Sequence, residues 1–419
     1  MKLHGATKAI QSAIASAKPV FKEEDVAFIQ EHLTSILRGQ LTMGKWVKEM
    51  EHLVAEMAGT RYAVMTNSCT SALEIVLKGL GIGFGDEVLV PAQTFTATAF
   101  AAWNVGARPV FCDIRSSTHC MDPEDAATRI TDRTRAMILV HYGGLITPDL
   151  ADLEALCGAH QLHLIEDAAH AHGAKRKGRR AGGLGTAGCF SYYATKLLTT
   201  GGEGGALATD HEGLYEAARS YQYRGQDHAL PSEEVFIRPG GNVRMTEFQA
   251  LCGVAQHRHL AEFLERRNEI ARTYDSVLHR EAPDVELIGP PADTLHAYWK
   301  HTLNLPPDID RAELKRRMKE RFDVAVGWSY YPAVHLQPVF RYLYGTEDGM
   351  LPVSEDVTLR MLNLPMHAAL SDGDVERVLD GFLTCFAELR GSRDDPESHR
   401  AWYVYPVEER ASELRLPLR

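Results

Sequence analysis

Between about residue 60 and residue 210, short apolar runs of strand length alternate with helix-like stretches, and this rhythm constrains the chain more than any other feature. The runs fall at 62–66, 87–91, 109–114, 136–142, 162–167, 189–193 and 206–209. Several are apolar without interruption, as in Met137-Ile138-Leu139-Val140. A strand that is apolar on both sides needs cover on both faces, which parallel sheets obtain from their crossover helices. The expectation is an α/β fold whose large domain holds a mostly parallel, seven-stranded sheet.

Beyond this region, Phe248, Leu251, Val254, Leu260, Phe263, Leu264 and Ile270 recur at helical spacing and predict one or two long helices over 246–278. After the break at Gly289-Pro290-Pro291, the stretches 299–305, 311–321 and 324–326 read as a smaller C-terminal α+β domain. The expected division is an N-terminal segment with the large domain over 1–265, the small domain over 266–391, and a tail over 392–419. In that tail a polar stretch at 392–398 precedes Trp402, Tyr403 and Tyr405.

A chain of 419 residues exceeds a single comfortable core, so two or three units are expected. The formal charge of -11 argues against nucleic acid as a partner, because phosphate backbones are held by clustered Lys and Arg. No apolar run has the length needed to cross a bilayer, and Met1-Lys2-Leu3-His4 opens no signal-like stretch, so a cytoplasmic protein without a membrane partner is expected. The seven cysteines are scattered and form no Cys-x-x-Cys pair, which leaves no legible metal site or disulfide framework.

In open parallel sheets ligands bind at the carboxyl ends of strands. Leu164-Ile165-Glu166-Asp167 places an acid at such an end. The run 190–196 places Lys196 shortly after another, just before Gly201-Gly202-Glu203-Gly204-Gly205. Taken alone, the Asp is a common helix cap and the Lys a common surface charge. Glycines in that density beside a lysine instead permit close approach of backbone to a bulky ligand. A third element, Thr66-Asn67-Ser68-Cys69-Thr70-Ser71, opens an apolar helix with hydroxyl residues, which suits either an ordinary N-cap or a phosphate site.

These runs resemble the DegT-type sugar aminotransferases, fold-type I enzymes that use pyridoxal 5'-phosphate (PLP). The resemblance covers nearly the whole chain. It is carried by Thr42-Met43-Gly44-Lys45, Cys69-Thr70-Ser71-Ala72-Leu73, Gly81-Ile82-Gly83-Phe84-Gly85-Asp86-Glu87-Val88 and Pro91-Ala92-Gln93-Thr94-Phe95. Further matches are Glu166-Asp167-Ala168-Ala169-His170-Ala171-His172-Gly173, the 191–205 segment, Gly241-Asn242-Val243-Arg244-Met245, and Tyr331-Pro332 with His335.

The resemblance implies that Lys196 is the Schiff-base lysine and that Asp167 pairs with the cofactor's ring nitrogen. It further implies Phe95 and Ala169 against the two ring faces, and His170 toward the phenolic oxygen where many members carry Gln. Cys69, Thr70 and Ser191 fall at the phosphate, with Asn242 lent by the neighbouring subunit of a homodimer. Many relatives have glycine where this chain has Cys69. Tyr331, His335 and Arg224 are candidates for contact with substrate.

The implied reaction moves an amine from glutamate or glutamine, through the pyridoxamine 5'-phosphate form, to a keto sugar or keto-cyclitol in amino-sugar or natural-product biosynthesis. A pyridoxamine-dependent sugar dehydratase on the same fold is the second reading, though such relatives carry histidine where this chain has Lys196. A non-catalytic binding protein is the third, and it would be expected to lose Lys196 or Asp167.

Overall fold

The structure is a computed structural model in which residues 13–227 and 234–391 are described; the tail and its aromatic residues lie outside them. Seven strands form the central sheet: β1 (Tyr62–Thr66), β2 (Glu87–Pro91), β3 (Arg108–Cys112), β4 (Thr134–Val140), β5 (His163–Asp167), β6 (Ala187–Ser191) and β7 (Gly205–Thr209). Their spatial order is β1-β7-β6-β5-β4-β2-β3. All run parallel except β7, which is antiparallel to both β1 and β6. Each expected run overlaps one of these strands.

Both faces of the sheet are buried, which explains the uninterrupted apolar runs. Met137 and Leu139 of β4 enter one core with Met50 and Val54 of the helix Lys45–Ala58 and with Leu251 of the helix Glu247–His257. Ala136 and Ile138 point the other way, into a core with Leu73 and Val76 of the helix Cys69–Gly79. Each fully buried Leu or Ile contributes roughly 1.5–3 kcal/mol, so neither face can be left polar without loss.

The expected 246–278 helical region is two helices, Glu247–His257 and Leu260–Glu281. The longer one spans two cores: Phe263 and Leu264 pack in the first, whereas Ile270, Tyr274 and Leu278 pack in a third. That third core includes the antiparallel sheet β8 (Glu286–Leu287), β9 (His301–Asn304) and β10 (Met361–Leu364), and the helices Arg311–Phe322 and Asp372–Gly391.

The separation of cores does not follow the chain cleanly. Ile14 lies in the third core, its backbone bonded to Asp323 and Ala325 at 2.9 Å each. In the opposite direction, Val334, Phe340 and Leu351 return to the second core beside the sheet. Asp113, just after β3, accepts from the Val353 and Ser354 amides at 3.0 and 2.7 Å and so caps the helix Pro352–Arg360. No described helix is long and apolar enough to cross a membrane.

A second capping contact holds the N-terminal helices. The helix Lys45–Ala58 starts at Gly44, which has no side chain to cap it. The buried Glu247 carboxylate accepts instead from the Gly44, Trp46 and Val47 amides at 2.7, 2.9 and 3.1 Å. Glu247→Ala strands those donors and is expected to cost about 2 kcal/mol of stability. Chemical denaturation should show a lower midpoint, with partial recovery in Glu247→Gln.

Candidate active site

Successive side chains of a strand point to opposite faces, and at the end of β5 this separates two adjacent carboxylates. Glu166 faces the first core's side, where it accepts from the Gly182, Leu184 and Gly185 amides at 2.6, 2.7 and 3.0 Å and pairs with His141 Nε2 at 2.8 Å. Its acceptor capacity is taken up in holding a loop. Asp167 faces the other way, toward the helices Cys69–Gly79 and Thr96–Asn104. One of its oxygens accepts from the Thr98 hydroxyl at 2.8 Å and the other from the Ala169 amide at 3.2 Å. Thr94 Oγ1 lies 2.8 Å from Thr98 Oγ1 and extends this chain of hydroxyls.

Lys196 shares that pocket. Burial pulls its ammonium pKa down to about 8, while the Asp167 charge and the Cys69 thiol act in the opposite direction. Its Nζ lies 4.3 Å from the centroid of the Trp299 ring. Trp299 is fixed by its own indole N–H, which donates to the Thr195 carbonyl at 2.9 Å. On the same indole His170 stacks at 3.8 Å with the planes 10° apart, and His170 Nε2 meets the Tyr330 hydroxyl at 2.9 Å.

Burial and the nearby Lys196 and Lys300 hold His170 well below the usual histidine range, so the ring is neutral. Burial holds the Tyr330 phenol well above its usual range, so it keeps its proton. With Tyr330 donating to Nε2, His170 retains an N–H at Nδ1, a buried atom with no partner among the described residues. That orphaned donor fits a ligand oxygen.

A third group converges at the strand ends. Gly205 pairs with Thr66 on one side and Ser191 on the other, which brings the helix start at Ser68-Cys69 beside the buried Ser191 hydroxyl. A Cβ on Gly205 would overlap the Ser68 carbonyl carbon and the Cys69 amide nitrogen, so only glycine permits this approach. Ser68 Oγ accepts from the Ser71 amide at 3.1 Å, which leaves the helix's opening turn oriented toward the same end of the sheet. Cys69 Sγ lies 3.9 Å from Asp167, and burial pushes its thiol well above the usual range. The Cys69 contribution is therefore as a neutral, packed side chain with a backbone N–H.

Phe95, at the start of the helix Thr96–Asn104, is 58% exposed and lies 5.8 Å from the Tyr330 ring, whereas Ala169 is buried. Asn242 is exposed and bridges to Tyr223, and Arg224, also exposed, donates its amide to Gly241 at 2.8 Å, so both sit on one surface turn. Tyr331 places its ring 5.3 Å from the Arg311 guanidinium. His335 is buried and bonded to Glu355 at 3.0 Å. Sequence reasoning missed Tyr330, Trp299, Thr98 and Lys300. Tyr330 carried a signal, since it immediately precedes the Tyr331-Pro332 run, whereas the others are brought in by tertiary packing.

A family model described as the DegT/DnrJ/EryC1/StrS aminotransferase family matches residues 22–383. The chain belongs to this family. Relatives include the GDP-perosamine synthase of Caulobacter vibrioides (strain ATCC 19089 / CIP 103742 / CB 15), 34% identical over 81% of this chain and 89% of that protein. Another is the dTDP-3-amino-3,4,6-trideoxy-alpha-D-glucose transaminase of Micromonospora megalomicea subsp. nigra, 32% identical over 82% and 90%. Among solved structures, the PLP form of Spr1654 from Streptococcus pneumoniae superposes with a TM-score of 0.83 at 25% identity, covering 90% of this chain and 100% of that one. This chain is an aminotransferase of the fold-type I architecture.

The depressed Lys196 pKa yields a direct expectation for the cofactor-free protein. Only a neutral amine attacks an electrophile, so acylation of Lys196 should rise with pH and reach half its maximum near pH 8, not near the ordinary lysine value of about 10.4. Asp167→Ala removes a charge that favours the ammonium form and should move that midpoint lower. Mass spectrometry of the Lys196 peptide across a pH series measures both.

Proposed function

We propose that this aminotransferase uses PLP, held by Lys196 and Asp167, to pass an amine from glutamate or glutamine to a keto sugar or keto-cyclitol. The observation that carries the cofactor assignment is a half-buried lysine of lowered pKa beside a buried aspartate at the carboxyl ends of parallel strands. The orphaned His170 Nδ1 and the glycine-dependent opening beside Ser191 fit the phenolic oxygen and phosphate of the same molecule. The sugar class of acceptor rests on the names of the relatives.

When bound, PLP supplies an aldehyde that condenses with amines and a cationic ring that draws electrons from the substrate carbon. In this reading Lys196 holds the cofactor, and its amine, neutral for a substantial fraction of the time near pH 8, takes and returns a proton at Nζ. Asp167, oriented by Thr98 and by the Ala169 amide, balances the charge of the ring nitrogen. Cys69 and Thr70 at the helix start and the Ser191 hydroxyl bind the phosphate. Phe95 and Ala169 confine the ring faces.

The exposed Asn242 faces outward on a turn. In this reading it reaches the same site in a second copy of the chain, and the homodimer is the active unit. Tyr331, His335 and Arg224 retain a place in this reading as acceptor-side residues, His335 by positioning rather than contact because its ring is buried with Nε2 bonded to Glu355.

Purified protein given PLP should show a visible absorbance band that Lys196→Ala lacks. Glutamate or glutamine should convert that band to one at shorter wavelength. Asp167→Ala should keep the band but slow its conversion by at least about 100-fold, through loss of the electrostatic partner. A Lys196→Ala protein with an unaltered band would sink the assignment.

A further inference from the structure

Lys300 is absent from every role assigned so far, yet it borders the same pocket. Its backbone amide bonds to Gly143 at 3.4 Å, and Ala297 bonds to Gly144 at 3.2 Å, so the segment docks on the turn that follows β4 at the carboxyl end of the sheet. Its Nζ lies 4.9 Å from the Trp299 ring that Lys196 approaches at 4.3 Å. Two ammonium groups therefore flank one indole, while the neutral His170 stacks on it. No carboxylate among the described residues forms an ion pair with Lys300.

A half-buried cation beside a second cation is an unfavourable arrangement, because each raises the cost of the other's charge. Burial, Arg267 and Lys196 together pull the Lys300 pKa down to about 8, which still leaves the ammonium form dominant at neutral pH. An anion seated at Lys300 would relieve the repulsion. The protein has not supplied one from its own described side chains, as it has for Arg129 and Arg360, whose guanidinium groups have the Asp125 and Asp356 carboxylates as acceptors.

We propose that Lys300 binds the α-carboxylate of the amino donor and so makes the site selective for amino acids over simple amines. The proposal rests on the aminotransferase reading of the Lys196 site. The position beside Lys196 favours the donor carboxylate over a sugar-linked phosphate. In an amino acid the carboxylate is attached to the carbon that bears the reacting amine, whereas in a nucleotide-linked sugar the ring separates the phosphate from the reacting ketone. Trp299 orients the two lysines: its indole N–H is anchored on Thr195, the residue before Lys196, and its main chain leads directly into Lys300.

The test is the donor half-reaction of the PLP-loaded full-length protein, followed by loss of the visible band with no acceptor present. L-glutamate and L-glutamine are titrated, and the one that discharges wild type is used throughout. In Lys300→Met the concentration for half-maximal rate should rise by about 10- to 100-fold, the loss expected for one charge-assisted hydrogen bond. The limiting rate at saturation should change by less than about threefold, and Lys300→Arg should recover most of the affinity. Lys300→Gln serves in place of the Met variant if that protein does not fold.

Unchanged donor saturation in a Lys300 variant that keeps its visible band overturns the proposal and leaves the cofactor site standing. A limiting rate that falls while saturation stays put also overturns it, since that pattern marks a structural or positioning role. A wild-type protein without a Lys196-dependent band would instead remove the reading beneath it.

Discussion

The twofold alternation of side chains along β5 governs the chemistry of this protein. Glu166 and Asp167 are neighbours in sequence with the same functional group, and the strand sends them into different surroundings. Glu166 is consumed by three loop amides and a histidine, so it fixes the turn between β5 and β6. Asp167 accepts from the Thr98 hydroxyl, the Ala169 amide and, at 3.9 Å, the Cys69 thiol, and remains beside the lysine. A one-residue slip in β5 would exchange these surroundings and leave the loop donors without their acceptor.

Lys196 shows the complementary logic. Its lowered pKa is a balance in which burial outweighs Asp167, and the packing that produces this burial comes from distant parts of the chain. Trp299, anchored on the main chain beside Lys196, belongs to a segment that docks on the turn after β4. The third core, through the connection from Trp299 to β9, thus sets the solvent exposure of a residue carried by the first sheet. The same indole orders His170, and through it Tyr330, which couples the site to the approach of the later chain.

Much of this was legible because burial on both faces writes itself into sequence as continuous apolar strands. Met137-Ile138-Leu139-Val140 marked β4 as central, and the overlap of all seven expected runs with strands follows from the same cause. Asp167, at the end of its expected run, could be located by that rule as well, whereas Ser191 fell inside the expected run 189–193 and was implied only by the family resemblance. Trp299, Lys300 and Thr98 could not be located, because nothing local distinguishes an aromatic beside a lysine, a lysine beside an aromatic or a hydroxyl bonded to an aspartate from their ordinary core and surface counterparts. The β10 strand was likewise unmarked: Met361-Leu362-Asn363-Leu364 is four residues long, and its partner β9 lies far away in sequence. Ile14 and the 334–351 segment cross between cores in a way no local pattern marks, since a fold's layering need not respect chain order.

Ile14 has a further consequence, in the order of events during synthesis. Its backbone partners Asp323 and Ala325 emerge some three hundred residues later, and its side chain completes a core that also needs Leu379 and Phe386. The contacts of Ile14 therefore form only once almost all of the described chain has left the ribosome, although the central sheet can close much earlier. Contacts of such sequence separation carry a large loop-closure cost and form late. The waiting segment and the unfilled third core are exposed together during that interval, which makes the nascent protein a natural client for a chaperone.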